Sequence, residues 1–251
     1  MLTSERKALI QQIIRQEGRL VAKDFSQKLG VSEDTIRRDL RELAAEGLLQ
    51  RVHGGALPAS PAVADFASRE QVGSSEKARL GQAAARMIQP GQVVFLDGGT
   101  TNVQLARHIP HDLRAVVVTH SPSIAVELVS HPLVEVELIG GRLFKHSIVA
   151  VGATCAEAIL RVRADLFFMG ATGIHPETGI TTGDREEAAV KALIARQSAE
   201  TIVLATEEKL GAASPYQIMP LNNIGTLVTV RGLPEETLRA FRSPGLTLVE
   251  I

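Results

Sequence analysis

"FLDGGTT", Phe95 to Thr101, decides how the larger part of this sequence is read. An apolar run ends in an acid, two glycines and two threonines, the pattern of a strand that turns sharply into a helix. Such a turn aims several backbone N–H groups and the positive end of a helix at one point, where an anion, usually a phosphate, is held. Outward from it the pattern repeats. "QVVFL", "RAVVVTH", "VEVELIG", "DLFFMG" and "TIVLAT" are apolar runs of the kind buried in a parallel sheet. Helical stretches such as "SIAVELVS", "ATCAEAILRV" and "REEAAVKALIARQ" lie between them. The alternation predicts an α/β body with an open, Rossmann-like parallel sheet, whose ligands sit beyond the carboxyl ends of the strands.

Several strand ends carry the residues such a site needs. The first delivers Asp97, Gly98, Gly99, Thr100 and Thr101; the second delivers Thr119, His120 and Ser121; the third delivers Gly140, Gly141 and Arg142. "DLFFMG" leads into "ATGI", and the next strand leads into "TEEKLG" with Lys209. Hydroxyls, glycine N–H groups and a few cations at one edge suit a small phosphorylated polyol. The candidate ligand residues are Asp97, Gly98, Gly99, Thr100, Thr101, His120, Gly141, Arg142 and Lys209.

Composition sets the outer limits. With 251 residues, 45% of them hydrophobic, the chain can build a sizeable core and more than one domain. Its apolar stretches are far short of a membrane span, and charges occupy the positions where a signal peptide needs an apolar core. One cysteine, Cys155, excludes an internal disulfide framework and a CxxC metal or redox motif. The expectation is a cytoplasmic protein with no membrane contact, metal or cofactor. The formal net charge of -1 conceals an asymmetry. Through Leu57 there are 10 Lys and Arg against 8 Asp and Glu, whereas the remainder has 17 against 20. A mildly basic head precedes an acidic body.

In the head, Ser4 to Glu17 reads as a first helix, with Thr3 or Ser4 as its cap and Leu9, Ile10, Ile13 and Ile14 on one face. "VAKDFSQKLG" gives a short second helix. Ser32 is placed to cap a third, and Glu33 and Asp34 suit the positive end of its dipole. Short helix, glycine-containing turn and capped helix have helix-turn-helix spacing. On the third helix Ile36, Leu40 and Leu43 fall on one side, and Arg37, Arg38 and Arg41 on the other. Three arginines on the open face of such a unit suit phosphates and guanine edges in a major groove. "LLQRVHGGALP" reads as a strand, a Gly54-Gly55 turn and a returning strand, a wing with Arg51 and His53 near its tip.

"VSEDTIRRDLRELAAEGLLQRVHGGA", Val31 to Ala56, resembles the amino-terminal signature of the DeoR family of transcription regulators, with both the TIRRDL core and the RVHGGA wing present. The resemblance implies that Ser32, Thr35, Arg37 and Arg38 lie in the recognition region. The remainder resembles the family's carboxy-terminal sensor domain, which is related in fold to sugar-phosphate isomerases. The family's usual phosphate loop is D-S-G-T-T, so Gly98 stands here for a serine. Its V-T-N-S becomes V-T-H-S with His120, and its A-D-x-S-K becomes "ATEEK", with Thr206 and Glu208 replacing polar partners and Lys209 retained.

Isomerisation of a sugar phosphate needs a carboxylate base beside the substrate carbon. In the related isomerases acids in a loop after a strand supply it, and "MGATGI", Met169 to Ile174, contains none. Ser74 and Ser75 of "SSEK" read as helix caps, Pro110 disrupts the helix that a His108–His111 metal pair would use, and Glu187 and Lys191 read as a helix-surface pair. The sequence therefore predicts a sensor rather than an enzyme. The resulting expectation is a repressor of sugar-metabolism genes that binds double-stranded operator DNA and responds to a phosphorylated sugar. It is expected to act as a homo-oligomer, dimer or tetramer, because such DNA binders read two half-sites. A sugar-phosphate isomerase with an accessory DNA-binding head is the second reading, and an architectural DNA binder whose body only oligomerises is the third. The expected division is a winged helix-turn-helix domain over 1–57, a linker over 58–74 with Arg69 a candidate for docking on the body, and the α/β domain over 75–251.

Overall fold

A computed structural model describes residues 2–60 and 66–251. The head comprises α1 (Thr3–Glu17), β1 (Leu20–Val21), α2 (Ala22–Leu29), α3 (Glu33–Ala45), β2 (Leu49–Val52) and β3 (Gly55–Pro58). Ile10, Ile14, Phe25, Ile36, Leu40 and Leu43 bury the apolar faces of the three helices against one another. Ser32 caps α3 as its sequence implies, its Oγ accepting the Thr35 N–H at 3.2 Å. The cap of α1 differs from expectation. That helix already includes Thr3 and Ser4, and the Glu5 carboxylate reaches back to accept the Leu2 N–H at 2.9 Å.

The wing turn also lies one residue earlier than the sequence suggests. His53 and Gly54 make it, while Val52 pairs with Gly55 and places Gly55 in β3. Gly55 serves close packing instead. Strand β1 pairs with β3 through Val21 and Gly55, and a Cβ on Gly55 would stand 1.8 Å from the Leu20 carbonyl oxygen. Beneath the helices Arg6 and Asp39 form a buried two-point ion pair. Arg6 Nη2 donates to Asp39 Oδ1 at 3.1 Å and Nε donates to Oδ2.

Residues 58–74, expected as a linker, carry more structure than their aperiodic sequence suggests, although 61–65 lie outside the described residues. Ala59 forms a parallel bridge with Ala213, and α4 spans Phe66–Gln71. The body continues with α5 (Ser74–Ala85), β4 (Val93–Leu96), α6 (Thr100–Arg107), β5 (Ala115–Thr119), α7 (Pro122–Leu128) and β6 (Val134–Leu138). A hairpin of β7 (Arg142–Phe144) and β8 (Val149–Val151) leads to α8 (Ala153–Ile159) and β9 (Ala164–Met169). Then follow β10 (Gly173–His175), β11 (Gly179–Thr182), α9 (Arg185–Arg196), β12 (Ser198–Ala205), β13 (Tyr216–Met219), β14 (Thr226–Thr229), α10 (Glu235–Arg239) and β15 (Thr247–Glu250). Neither Ser74 nor Ser75 caps α5, because the helix starts at Ser74 with Gly73 as its cap residue.

The main sheet is fully parallel, in the order β15-β14-β12-β9-β4-β5-β6. Alternation along the strands feeds two cores. Val94, Leu96, Leu166, Phe168, Ile202 and Leu204 pack with α5 and α6 on one face, and Phe95, Phe167, Met169 and Val203 pack with α8 and α9 on the other. All five strands read from the sequence are present. The two main-sheet strands not read, β14 and β15, are four residues each. From β4 the chain proceeds through β5 and β6 to one side, whereas β9 and its successors lie on the other. The switch in direction falls between β4 and β9, where the loops leaving adjacent strands part and open a crevice.

Removing one partner of a buried ion pair leaves an uncompensated charge. Asp39→Ala should therefore destabilise the head by about 3–5 kcal/mol. Hydrogen exchange of the α1 and α3 amides measures this directly, and unchanged protection would show that Asp39 is dispensable.

Candidate functional site

A cavity opens at the switch point. The loop after β4 supplies Gly98, Gly99, Thr100, Thr101 and Asn102; the loop after β9 supplies Gly170, Ala171 and Thr172; Glu208 and Lys209 follow β12. Gly99 precedes α6 with φ 117°, a conformation that side chains rarely adopt, and has open space around it. Among the described residues the N–H groups of Gly99, Thr100 and Thr101 have no protein acceptor. They make the positive end of α6 a cradle for negative charge. Asn102 fixes the loop by donating to the carbonyls of Asp97 at 3.0 Å and Phe168 at 2.9 Å. Its Oδ1, buried in the cavity wall, has no partner.

Cations outnumber acids in the wall, with Arg69, Lys77, Lys191 and Lys209 against Glu187 and Glu208. Lys209 Nζ stands 3.5 Å from Thr101 Oγ1. Burial lowers the Lys209 pKa; Glu208 opposes this, but the nearby charges of Lys77, Arg69 and Lys191 add to it, bringing the group down to about 8. Burial likewise lowers Lys77, whose ammonium donates to the Val72 carbonyl at 2.5 Å and to that of Arg69.

Beneath the cavity floor Asp97 is fully buried and accepts four hydrogen bonds. Gly98 N–H at 2.7 Å and His120 Nε2 at 2.8 Å meet one oxygen; Gly170 N–H at 2.8 Å and Lys191 Nζ at 3.0 Å meet the other. Burial alone would raise this carboxyl, but the charge of Lys191 and the bond from His120 outweigh it and hold the pKa below the usual value. Lys191 also meets Glu187 at 3.2 Å, and Glu187 accepts from Thr182. Glu187 and Lys191 are thus not the surface pair that their spacing suggests. Both are about 97% buried, because α9 turns this face onto the strand ends.

Of the nine candidates from the sequence, Gly98, Gly99, Thr100, Thr101 and Lys209 meet in the cavity wall. Asp97 and His120 lie below it, joined to each other. Gly141 and Arg142 lie outside it: Gly141 packs against Val151 and Cys155, and the exposed Arg142 pairs with Glu186. The β7–β8 hairpin separates them from the crevice by folding over the end of β5, where Ala150 N–H donates to the His120 carbonyl at 2.7 Å. At position 98 a Cβ would stand 2.3 Å from Val149 Cγ1, so Val149 of this hairpin fills the space a serine would need. Sequence reasoning did not find Lys77, Asn102, Glu187 or Lys191. The one available signal was the Glu187–Lys191 spacing, which says nothing about burial. His108 bonds the Gln104 carbonyl and His111 stacks on His131, and the described residues contain no cluster able to hold a metal.

In the head, Arg37, Arg38 and Arg41 are exposed on α3, opposite its buried face. Arg37 reaches Glu33 at 2.7 Å and Arg38 stands 4.0 Å from Glu42, exposed pairs that contribute little to stability. The hydroxyls of Ser32 and Thr35 are 2.8 Å apart at the helix start, while Arg51 and His53 are exposed on the wing.

Residues 6–61 match the family model for the DeoR-like helix-turn-helix domain, and residues 73–231 match that for the DeoR C terminal sensor domain. The chain belongs to the DeoR family. The HTH-type transcriptional regulator GlpR of Haloferax volcanii is 34% identical over 252 residues, covering 100% of this chain and 98% of GlpR. The HTH-type transcriptional repressor GlcR of Bacillus subtilis is 33% identical, covering 94% of this chain and 91% of GlcR. Ribose 5-phosphate isomerase A of Methanocaldococcus jannaschii overlays 55% of this chain and 54% of its own, with 15% identity and a TM-score of 0.41. That likeness carries no inference about chemistry. DeoR members are DNA-binding transcription regulators rather than enzymes, and this chain is one of them. No described helix is long and apolar enough to cross a membrane.

One departure from the usual DeoR pattern, His120, has a measurable effect. Its ring nitrogens face the Ala150 carbonyl and the Asp97 carboxylate, each at 2.8 Å, so a doubly protonated ring satisfies both acceptors. Burial disfavours that charge, but the Asp97 bond, then Cys155, the Asp97 charge and Ala150, raise the pKa from 6.5 to about 9. A raised pKa gives stability that is complete below pH 6.5 and is lost as pH rises through about 9. Thermal unfolding should show a declining stability across that window, and His120→Asn should remove the decline. An identical slope in the variant would refute the assignment.

Proposed function

We propose that this regulator is a repressor of sugar-metabolism genes whose operator binding is modulated by a phosphorylated sugar held at the switch point. The observation that carries the reading is the convergence of three unpartnered N–H groups, at Gly99, Thr100 and Thr101, with the lysines of the cavity wall. Oriented N–H groups and several cations in a partly enclosed space suit a phosphate dianion. Asn102 Oδ1, the Thr172 hydroxyl and the Glu208 carboxylate offer polar partners for sugar hydroxyls. The depressed Lys209 supports the same reading: burial, with the charges of Lys77, Arg69 and Lys191 adding to it, lowers its pKa, and an arriving dianion favours its charged form.

On the head, Arg37, Arg38 and Arg41 form the groove-facing surface of α3, Ser32 and Thr35 sit at its leading end, and Arg51 and His53 contact the backbone from the wing. The head extends through residue 57 and the sensing and oligomerising body begins at residue 75. Two copies of the chain, or four, present two recognition helices to the half-sites of one operator. The protein works on DNA in the cytoplasm.

Arg37→Ala and Arg38→Ala should each weaken binding to an operator selected from random-sequence DNA by about 1–3 kcal/mol, where the lost contact is to a base edge. Both side chains are exposed, so thermal stability should hold. Wild-type operator affinity in both variants would displace the recognition surface from α3. A thermal-shift panel of triose, pentose and hexose monophosphates tests the cavity, because a ligand of the native state raises its stability by mass action. With Lys209 at about 8, affinity should fall with rising pH above 8. No shift from any member of the panel would remove the phosphate reading.

A further inference from the structure

The turn of the β7–β8 hairpin reaches the cavity through Ser147, which lines it. Ser147 is only 4% exposed, and among the described residues its hydroxyl has no hydrogen-bond partner. A hydroxyl withdrawn from bulk water without a partner is costly, so such a group marks the place of a water or a ligand. The residue after it is strained. Ile148 has φ 52°, a left-handed conformation that glycine or asparagine takes readily in such turns and a β-branched side chain rarely adopts. The surroundings hold it there. Ser121 Oγ donates to the Ile148 carbonyl at 3.0 Å, and the Ala150 N–H donates to the His120 carbonyl at 2.7 Å. Backbone strain fixed in this way clusters at ligand sites.

The same hairpin packs on the loop that carries the N–H cradle. A Cβ at Gly98 would stand 2.3 Å from Val149 Cγ1 and 3.3 Å from the Ser147 carbonyl oxygen. A side chain at position 98 and the hairpin compete for one space; here the hairpin takes it and brings a serine hydroxyl with it. In the strand order, β12, which leads to Lys209, lies to one side of β4, and β5, beneath the hairpin, lies to the other. The cradle at Gly99, Thr100 and Thr101 therefore sits between Lys209 and Ser147. Ser147 also borders a second cavity, between body and head, but no lysine or arginine is among the described residues that line it.

We propose that the Ser147 hydroxyl is a further donor to the phosphate group in this cavity, delivered by the strained turn at Ile148; the inference rests on the phosphate reading above. A donor with no bond to give up gains the whole of a charge-assisted hydrogen bond when a phosphate oxygen arrives. Being neutral, it adds a donor without adding to the mutual repulsion of the cations in the wall. Because the hairpin holds the residue buried, little side-chain freedom remains to be lost on binding. Gly98, which admits the hairpin, is then part of the site through the space it leaves.

The test uses the full chain without DNA and inorganic phosphate as the probe, with affinity measured by calorimetry and stability by thermal unfolding in phosphate-free buffer. Ser147→Ala should lower phosphate affinity about tenfold, the worth of a hydrogen bond to a charged group. It should leave the phosphate-free unfolding temperature unchanged, because the hydroxyl makes no bond within the protein. A second variant reaches the same hydroxyl indirectly. Gly98→Ala keeps the N–H groups of Gly99, Thr100 and Thr101 but pushes the hairpin off the loop, and should also weaken phosphate binding. With Ser147 already displaced, adding Ser147→Ala to Gly98→Ala should change affinity by less than about twofold, since substitutions that remove one shared contact are not additive. A Ser147→Ala protein that binds phosphate within twofold of wild type overturns the inference, whatever its affinity for sugars. So does a double variant in which the two losses multiply in full. If wild type binds a sugar monophosphate but inorganic phosphate too weakly to measure, the same thresholds apply to that sugar monophosphate. Wild-type protein that binds neither overturns the phosphate reading itself, and is distinguished because it fails before any substitution is made.

Discussion

The buried carboxylate of Asp97 is the constraint on which the rest of the body depends. Four donors from four parts of the chain end on it: its own loop through Gly98, the β5 end through His120, the β9 end through Gly170, and α9 through Lys191. A buried charge is tolerable only when paired and hydrogen-bonded on all sides. Here two acids, Asp97 and Glu187, stand against two cations, Lys191 and a protonated His120. Moving any one element away would leave an uncompensated charge, so the strand ends and α9 are held in register.

That anchoring positions the cavity without contributing its surface. Asp97 turns its carboxylate inward, and in doing so fixes Gly98 and leaves the next three N–H groups facing outward. The loops after β4 and β9 touch so closely that a Cβ on Gly170 would stand 2.4 Å from the Gly98 carbonyl oxygen. Lys191 Nζ, which also donates to the Gly170 carbonyl at 2.7 Å, completes the clamp. A rigid floor of this kind presents a preorganised cradle, so little ordering remains when an anion binds.

The upper wall is built differently. Lys77, Arg69 and Lys209 come from the connector side and from the segment after β12, with bonds to the Val72 and His146 carbonyls and to the Thr101 hydroxyl. The cavity thus joins a floor pinned by a buried charge network to a wall of cations supplied by later and earlier segments.

The sequence by itself determined the local elements. Three capped or glycine-terminated helices and a wing are legible from period and turn chemistry, and five apolar strands and the glycine loop at Gly98–Thr101 follow from the same signals. Those signals act over a few residues, which is why they survive in a linear reading. Only the tertiary structure decided which strand ends share the crevice, because strand order is set by packing between distant segments. It put Arg142 outside and Lys77 inside. It also turned the Glu187–Lys191 pair from an apparent surface feature into part of a buried network, and showed Arg69 in the cavity wall. The Gly170–Asp97 bond joins positions 73 apart, and no periodicity can encode such a contact. Burial of a charge becomes visible only when its partners, arriving from elsewhere in the chain, are in place.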